Sequence, residues 1–186
     1  MLIKLSDWIN SASTTCIMLV CLAIFLLFST IVLPDQASKA EVYSGEVGSP
    51  DTSFFYSAKE LYTFAEAYGP EGRVAYIRAR FTFDVIWPLV YMSFLATSIS
   101  WVIKRVALQG RLWQQLNLMP LFGMLFDFLE NISASIVMTR YPNNTALIDH
   151  LAGVFTMLKW VFVGGSFLVL LGGVVLLVWR FIHQKK

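Results

Sequence analysis

Residues 12–33 read ASTTCIMLVCLAIFLLFSTIVL, an unbroken run without one charged side chain. A hydrocarbon core ~30 Å thick takes about 20 mostly apolar residues wound as a helix. This run meets that length and exceeds the roughly 7–15-residue apolar core of a secretory signal. No A-x-A cleavage pattern follows, because Ala37-Ser38-Lys39-Ala40 has the wrong spacing. The stretch therefore predicts a retained membrane-spanning helix.

Working outward, three further spans are expected at about 81–102, 113–138 and 150–181. Lipid offers no partner to backbone N–H and C=O groups, so each span must satisfy its own, as a helix does. The period-2 alternation that a barrel needs is absent. Composition agrees, with 57% apolar residues, 14% charged and a mean hydropathy of +0.65. Soluble domains carry roughly a quarter charged residues. A net charge of only +2 gives no nucleic-acid reading. The expected fold is an all-α integral membrane protein, one membrane domain over residues 1–186, built as a four-transmembrane-helix bundle.

The flanks set the expected orientation. Lys4, Lys104, Arg105, Arg111, Arg180, Lys185 and Lys186 gather on one side with a single acid, Asp7. Lys39, Lys59, Arg73, Arg78, Arg80 and Arg140 on the other side are diluted by Asp35, Glu41, Glu46, Asp51, Glu60, Glu66, Glu71 and Asp149. The positive-inside rule then places both termini in the cytoplasm, at a plasma (inner) membrane. Trp8, Trp101, Trp113 and Trp179 fall at the same ends of the four spans, where indole prefers the headgroup level.

Residues 34–80 form the expected outer loop. Pro34 to Ser53 is polar, with a turn at Gly48-Ser49-Pro50-Asp51. Ser57 and Glu60 then match a capping box, and Leu61, Phe64, Ala65 and Tyr68 follow at helical spacing. Gly69-Pro70 closes the segment. This predicts an amphipathic outer-surface helix over about 58–68, lying on the outer leaflet as a linker or as a lid. From Pro70 a new helix runs past Arg73, Tyr76, Arg78 and Arg80 into the second span. Asn143-Asn144-Thr145 in the next outer loop matches an N-glycosylation acceptor, and Asn131-Ile132-Ser133 matches inside a span.

Ionisable groups inside spans are expensive, so each calls for a partner and a purpose. Asp84, Asp127, Glu130 and Lys159, with Asn131, are the candidates. Counted at 1.5 Å per residue from the tryptophan level, they lie roughly 21–30 Å away, in the outer half. Asp127, Glu130 and Asn131 stand at i, i+3 and i+4 and share a face with Pro120, Gly123, Ala134 and Met138. Lys159 has Thr156 and Ser166 on its own face. It is expected to pair with Glu130 or Asp127 across neighbouring helices. One lysine cannot match three carboxylates, so Arg78 or Arg80 dips in, or one carboxyl keeps its proton. Pro88 frees the carbonyl of Asp84, and Pro120 frees that of Leu116.

Three readings follow. The charges are glue between helices; or they bind a lipid-like ligand or a partner subunit, a second copy included; or Asp127 and Glu130 act as acid and base on a lipid substrate. The binding reading is the one carried forward, with Asp127 and Glu130 as acceptors, Lys159 as counter-charge and Asn131 orienting; beyond the enzyme reading, a small structural subunit of a larger membrane complex is the second alternative. Other chemistries lack raw material. Cys16 and Cys21 both lie within the first span, without a C-x-x-C, and His150 and His183 stand at opposite ends of the fourth. No HExxH, GxSxG or phosphate-cradling loop occurs, so neither a metal nor a cofactor is expected. Gly164-Gly165 and Gly172-Gly173 are expected to be close-packing positions. The basic tail of Arg180, Lys185 and Lys186 suits anionic headgroups.

The layout of short N-terminus, large first outer loop and small second one resembles claudin-type four-span proteins, although that family's outer-loop tryptophan and cysteine pair are absent. Asp84 with Pro88 is similar to the carboxylate-and-proline pattern of sterol-isomerase-like spans. Neither likeness implies a residue role or an activity for this chain.

Overall fold

The computed structural model describes residues 1–50, 53–108 and 110–183, apart from the side chain of Glu46. Among them the chain is helical, with no strand. We label α1 Leu2–Ala12, α2 Thr15–Ser44, α3 Ala58–Ala67, α4 Gly69–Val106, α5 Arg111–Arg140 and α6 Ile148–His183. Four of these, α2, α4, α5 and α6, are long and apolar enough to cross a membrane.

The spans expected at 81–102, 113–138 and 150–181 lie within these helices, the one expected at 12–33 begins at Thr15, and two further differences stand at the amino-terminal side. Residues 2–12, to which the sequence reading assigns no element, form α1, which buries Ser6 and Ile9. Apolar positions Leu2, Leu5 and Ile9 recur at helical spacing, and Thr14 then caps α2 by accepting from the N–H of Ile17. The second correction concerns residues 34–44, expected as loop. The helix continues through them to Ser44, because a π turn at Phe28–Val32 precedes Pro34. There the Leu33 N–H reaches back five residues to the Phe28 carbonyl. That extra residue in the turn gives the proline ring room where an ordinary helix would clash. The i,i+4 pair Asp35–Lys39, 2.6 Å apart, supports the extension. The expected turn at residues 48–51 falls partly on Asp51, and the basic tail partly on Lys185 and Lys186, which lie outside the described residues.

The capping box that opens α3 is present in full. The Ser57 hydroxyl accepts from the Glu60 N–H, and the Glu60 carboxylate accepts from the Ser57 N–H at 2.7 Å. Gly69 stops α3 with φ +61°, a left-handed value that a side chain resists, and starts α4. Helix α4 is interrupted once, at Phe81-Thr82, where the Thr82 hydroxyl donates to the Arg78 carbonyl. In α5 a tight turn at Leu116–Leu118 precedes Pro120, and the carbonyl of Leu116 is taken by the Met119 N–H.

Helix α5 packs along α6, and α4 packs on both. Gly165 and Gly173 are close-packing positions: a Cβ would lie 2.8 Å from Met119 Cε and 2.5 Å from Val102 Cγ1. Their neighbours Gly164 and Gly172 face open space, so only half of each expected pair serves packing. The reason is helical geometry, since adjacent residues point about 100° apart. Helix α2 differs from the other three. Its apolar stretch contains no buried residue, and it meets α4 through Phe25 and Phe28, which stack on Trp87. The apolar face of α3 is filled by protein: Leu61 and Ala65 pack with Ala134, Val137, Met138 and Ala152.

Candidate functional site

The polar face of α5 and the lysine of α6 meet. Lys159 Nζ lies 2.5 Å from Glu130 Oε2 and 3.8 Å from Asp127 Oδ1, so the lysine bridges both acids. Asn131 donates through Nδ2 to Asp127 Oδ1 at 3.5 Å, a long contact. Glu130 is fully enclosed, at 0% exposure, and Asp127, Asn131 and Lys159 are all buried. Asp84 is paired with Arg80, one turn earlier on α4, and the guanidinium stacks 4.3 Å above the Tyr76 ring. The remaining face residues of α5 named from sequence, Pro120, Gly123, Ala134 and Met138, are buried too, as are Thr156 and Ser166 of α6.

Two tyrosines complete the cluster and were not anticipated. Tyr91 donates to Asp127 Oδ2 at 2.9 Å, and Tyr56 donates to Glu130 Oε1 at 3.3 Å. Tyr91 stands seven residues after Asp84, on the buried face that Pro88 and Leu95 share. That spacing was the available signal. Tyr56 immediately precedes the Ser57 cap and is buried in one cluster with Leu61. This is the arrangement of a hydrophobic staple, N′ against N4, whose pattern the sequence carried.

Residues 53–57 lie as a strap across α6. The indole of Trp160 donates to the Ser53 carbonyl at 3.0 Å, and Gly153 passes directly beneath the Tyr56 carbonyl oxygen. A Cβ at Gly153 would collide with that oxygen. Glycine is what lets the strap come close enough for the Tyr56 hydroxyl to reach Glu130. Helix α3 is in turn tied to the α5–α6 loop. The Tyr62 hydroxyl accepts from the Thr145 N–H at 2.8 Å and lies 3.3 Å from Asp149 Oδ2.

A second polar centre, neutral and also unanticipated, occupies the opposite end. Asn117 donates to the Ser6 carbonyl at 3.1 Å and to the Ser100 hydroxyl at 3.0 Å, and its Oδ1 accepts from the Ser6 hydroxyl at 2.8 Å. Lys104 donates to the carbonyls of Asn10 and Ser13, closing the end of α1.

Taken by chemistry, the first cluster offers acceptors, one bridging ammonium and two phenols inside an apolar frame. Among the described residues, no group of three or more His, Cys, Asp or Glu side chains is placed to hold a metal ion. Comparison of the chain with protein-family models, with curated proteins and with solved structures finds no match.

Proposed function

We propose that this chain is a multi-pass protein of the plasma (inner) membrane, with both termini cytoplasmic, and that it binds rather than catalyses. In this reading Asp127, Glu130, Asn131 and Lys159, with Asp84 beside them, receive the polar head of a lipid-like ligand or a basic side chain of a partner membrane subunit. The observation that carries it is Asn131. This residue is 3% exposed, and its Oδ1 has no hydrogen-bond partner among the described residues. A buried acceptor in that position calls for a donor. Three carboxylates stand in the neighbourhood with two cations, Lys159 and Arg80. A buried amide acceptor beside carboxylates suits a donor carrying positive charge, such as an amine head or a lysine or arginine of a neighbouring helix.

Native mass spectrometry of the gently extracted protein tests this reading. A discrete added mass of lipid size, lost in Glu130→Gln, supports the ligand; a co-migrating chain lost in the same variant supports the partner. A bare chain that collapses in both Glu130→Gln and Asp127→Asn makes the charges helix glue. The tyrosine hydroxyl on each carboxylate favours a second reading, acid and base work by Asp127 and Glu130 on a lipid. That reading requires variants that stay folded and lose turnover.

A further inference from the structure

Away from the ion cluster, a cleft opens between the first half of α4 and the last turns of α5. Ile77 and Phe81 form one wall, and Ile132, Ile136 and Thr139 the other. The interruption of α4 at Phe81-Thr82 lies at this cleft, where one half of the helix gives way to the next. The wall is mostly apolar: the Thr139 hydroxyl turns back to donate to the Ser135 carbonyl at 2.7 Å, and buried Ser135 is the other hydroxyl residue that lines it. Its volume is ≈ 240 Å³. That is below the roughly 300–1,000 Å³ of pockets that enclose a small molecule, and suits a length of single chain.

The rim is cationic. Arg140 lines the mouth, and Arg78 is exposed on α4 next to Ile77. Among the described residues neither is in an ion pair, whereas Lys39, Arg80 and Lys159 are. From Arg140 the α5 wall descends about 6 Å to Ile136 and about 12 Å to Ile132, at 1.5 Å per residue. A cation at the top and branched aliphatic side chains below repeat the order of a glycerophospholipid, phosphate first and acyl chain beneath.

We infer that this cleft holds one acyl chain of an anionic glycerophospholipid, with the phosphate at Arg140. A zwitterionic lipid brings its own ammonium to the Arg140 guanidinium, which is in no ion pair among the described residues, and is disfavoured. The inference rests on the membrane-embedded reading of α4 and α5 but not on the ion cluster, which selects the opposite charge.

The test is native mass spectrometry of the full chain in detergent, titrated separately with phosphatidylglycerol and phosphatidylcholine of equal chain length. The expected result is one retained phosphatidylglycerol, favoured about five-fold over phosphatidylcholine, the increment of one arginine near a headgroup. Arg140→Gln brings the ratio towards one, and Ile136→Trp, which fills the cleft, lowers retention of both lipids. Ile132→Trp does the same if Ile136→Trp unfolds. Lys4→Gln, at the far end, leaves the ratio unchanged. Equal retention of the two lipids by the unaltered chain overturns the inference. So does a preference that survives Arg140→Gln, or a protein chain found in place of the lipid. Loss of the lipid in Glu130→Gln but not in Arg140→Gln overturns it in favour of the cluster. A chain that fails to enter detergent micelles as a membrane protein overturns both readings.

Discussion

The long helices are joined at their two ends by opposite kinds of polar chemistry. At one end Ser6, Ser100 and Asn117 make a neutral set in which the Asn117 amide uses both its nitrogen and its oxygen. At the other end Asp127, Glu130 and Lys159 make a charged set, and Asn131 keeps an acceptor without a partner among the described residues. A satisfied neutral network holds helices together at little risk. Buried ions do the same work with a large desolvation penalty, and well-packed apolar residues often replace them without loss. The contrast teaches that fastening alone explains the first set and leaves the second over-equipped.

Removing the lysine is the most severe way to break this comparison. Lys159→Met leaves two enclosed carboxylates without their bridging ammonium and is expected to lose about 3–5 kcal/mol. Thermal unfolding in detergent measures it. Lys159→Met combined with Glu130→Leu recovers most of that loss, since the penalty belongs to the stranded charge. If the double variant is no better than the single, the ions fasten the helices and the contrast disappears.

A smaller effect is expected at the neutral end. Asn117→Ala strands the polar groups of Ser6 and Ser100 and loses about 1–3 kcal/mol. Because Ser6 is on α1, limited proteolysis should release that helix first, while the strap end stays protected. Simultaneous loosening at both ends would show that the two sets are one cooperative unit.

The smallest effect sharpens the role of the strap. Hydrogen bonds from the Ser57 N–H and hydroxyl hold the Glu60 carboxyl below its ordinary value of 4.5. A carboxyl lowered by folding adds stability above the ordinary value and loses it as pH falls through the folded one. Amide exchange in the first turn of α3 should therefore quicken in acid. Ser57→Ala is expected to quicken it at neutral pH and to lessen the pH dependence only in part, because the backbone N–H at position 57 still donates to Glu60.

How much of this could be read from the chain differs by element. The four apolar helices were legible because each is a long apolar run, a pattern that needs no tertiary information. The meeting of Lys159 with Asp127 and Glu130 was legible because i, i+3, i+4 spacing puts three polar groups on one face of a span. The extension of α2 to Ser44 was not, because Pro34-Asp35 reads as a loop signal unless the π turn before it is known. Tyr56 was missed for another reason. Its partner Glu130 is 74 residues away, and only the close passage over Gly153 brings the hydroxyl there.

Helix α2 is 30 residues long, yet only its first part is apolar. A rod of about 45 Å set in a hydrocarbon layer of ~30 Å must lean or stand proud of it. Its polar end comes against Gly72 of α4, where a Cβ would lie 3.0 Å from the Tyr43 Cβ. Along its apolar part α2 buries nothing, and its hold on α4 there is the stacking of Phe25 and Phe28 on Trp87. With the apolar part in a bilayer, as proposed, the helix would be a lever with its long arm in lipid and its short arm on α4. A thinner or thicker bilayer would then press at Gly72, eight residues from the arginine that holds Asp84.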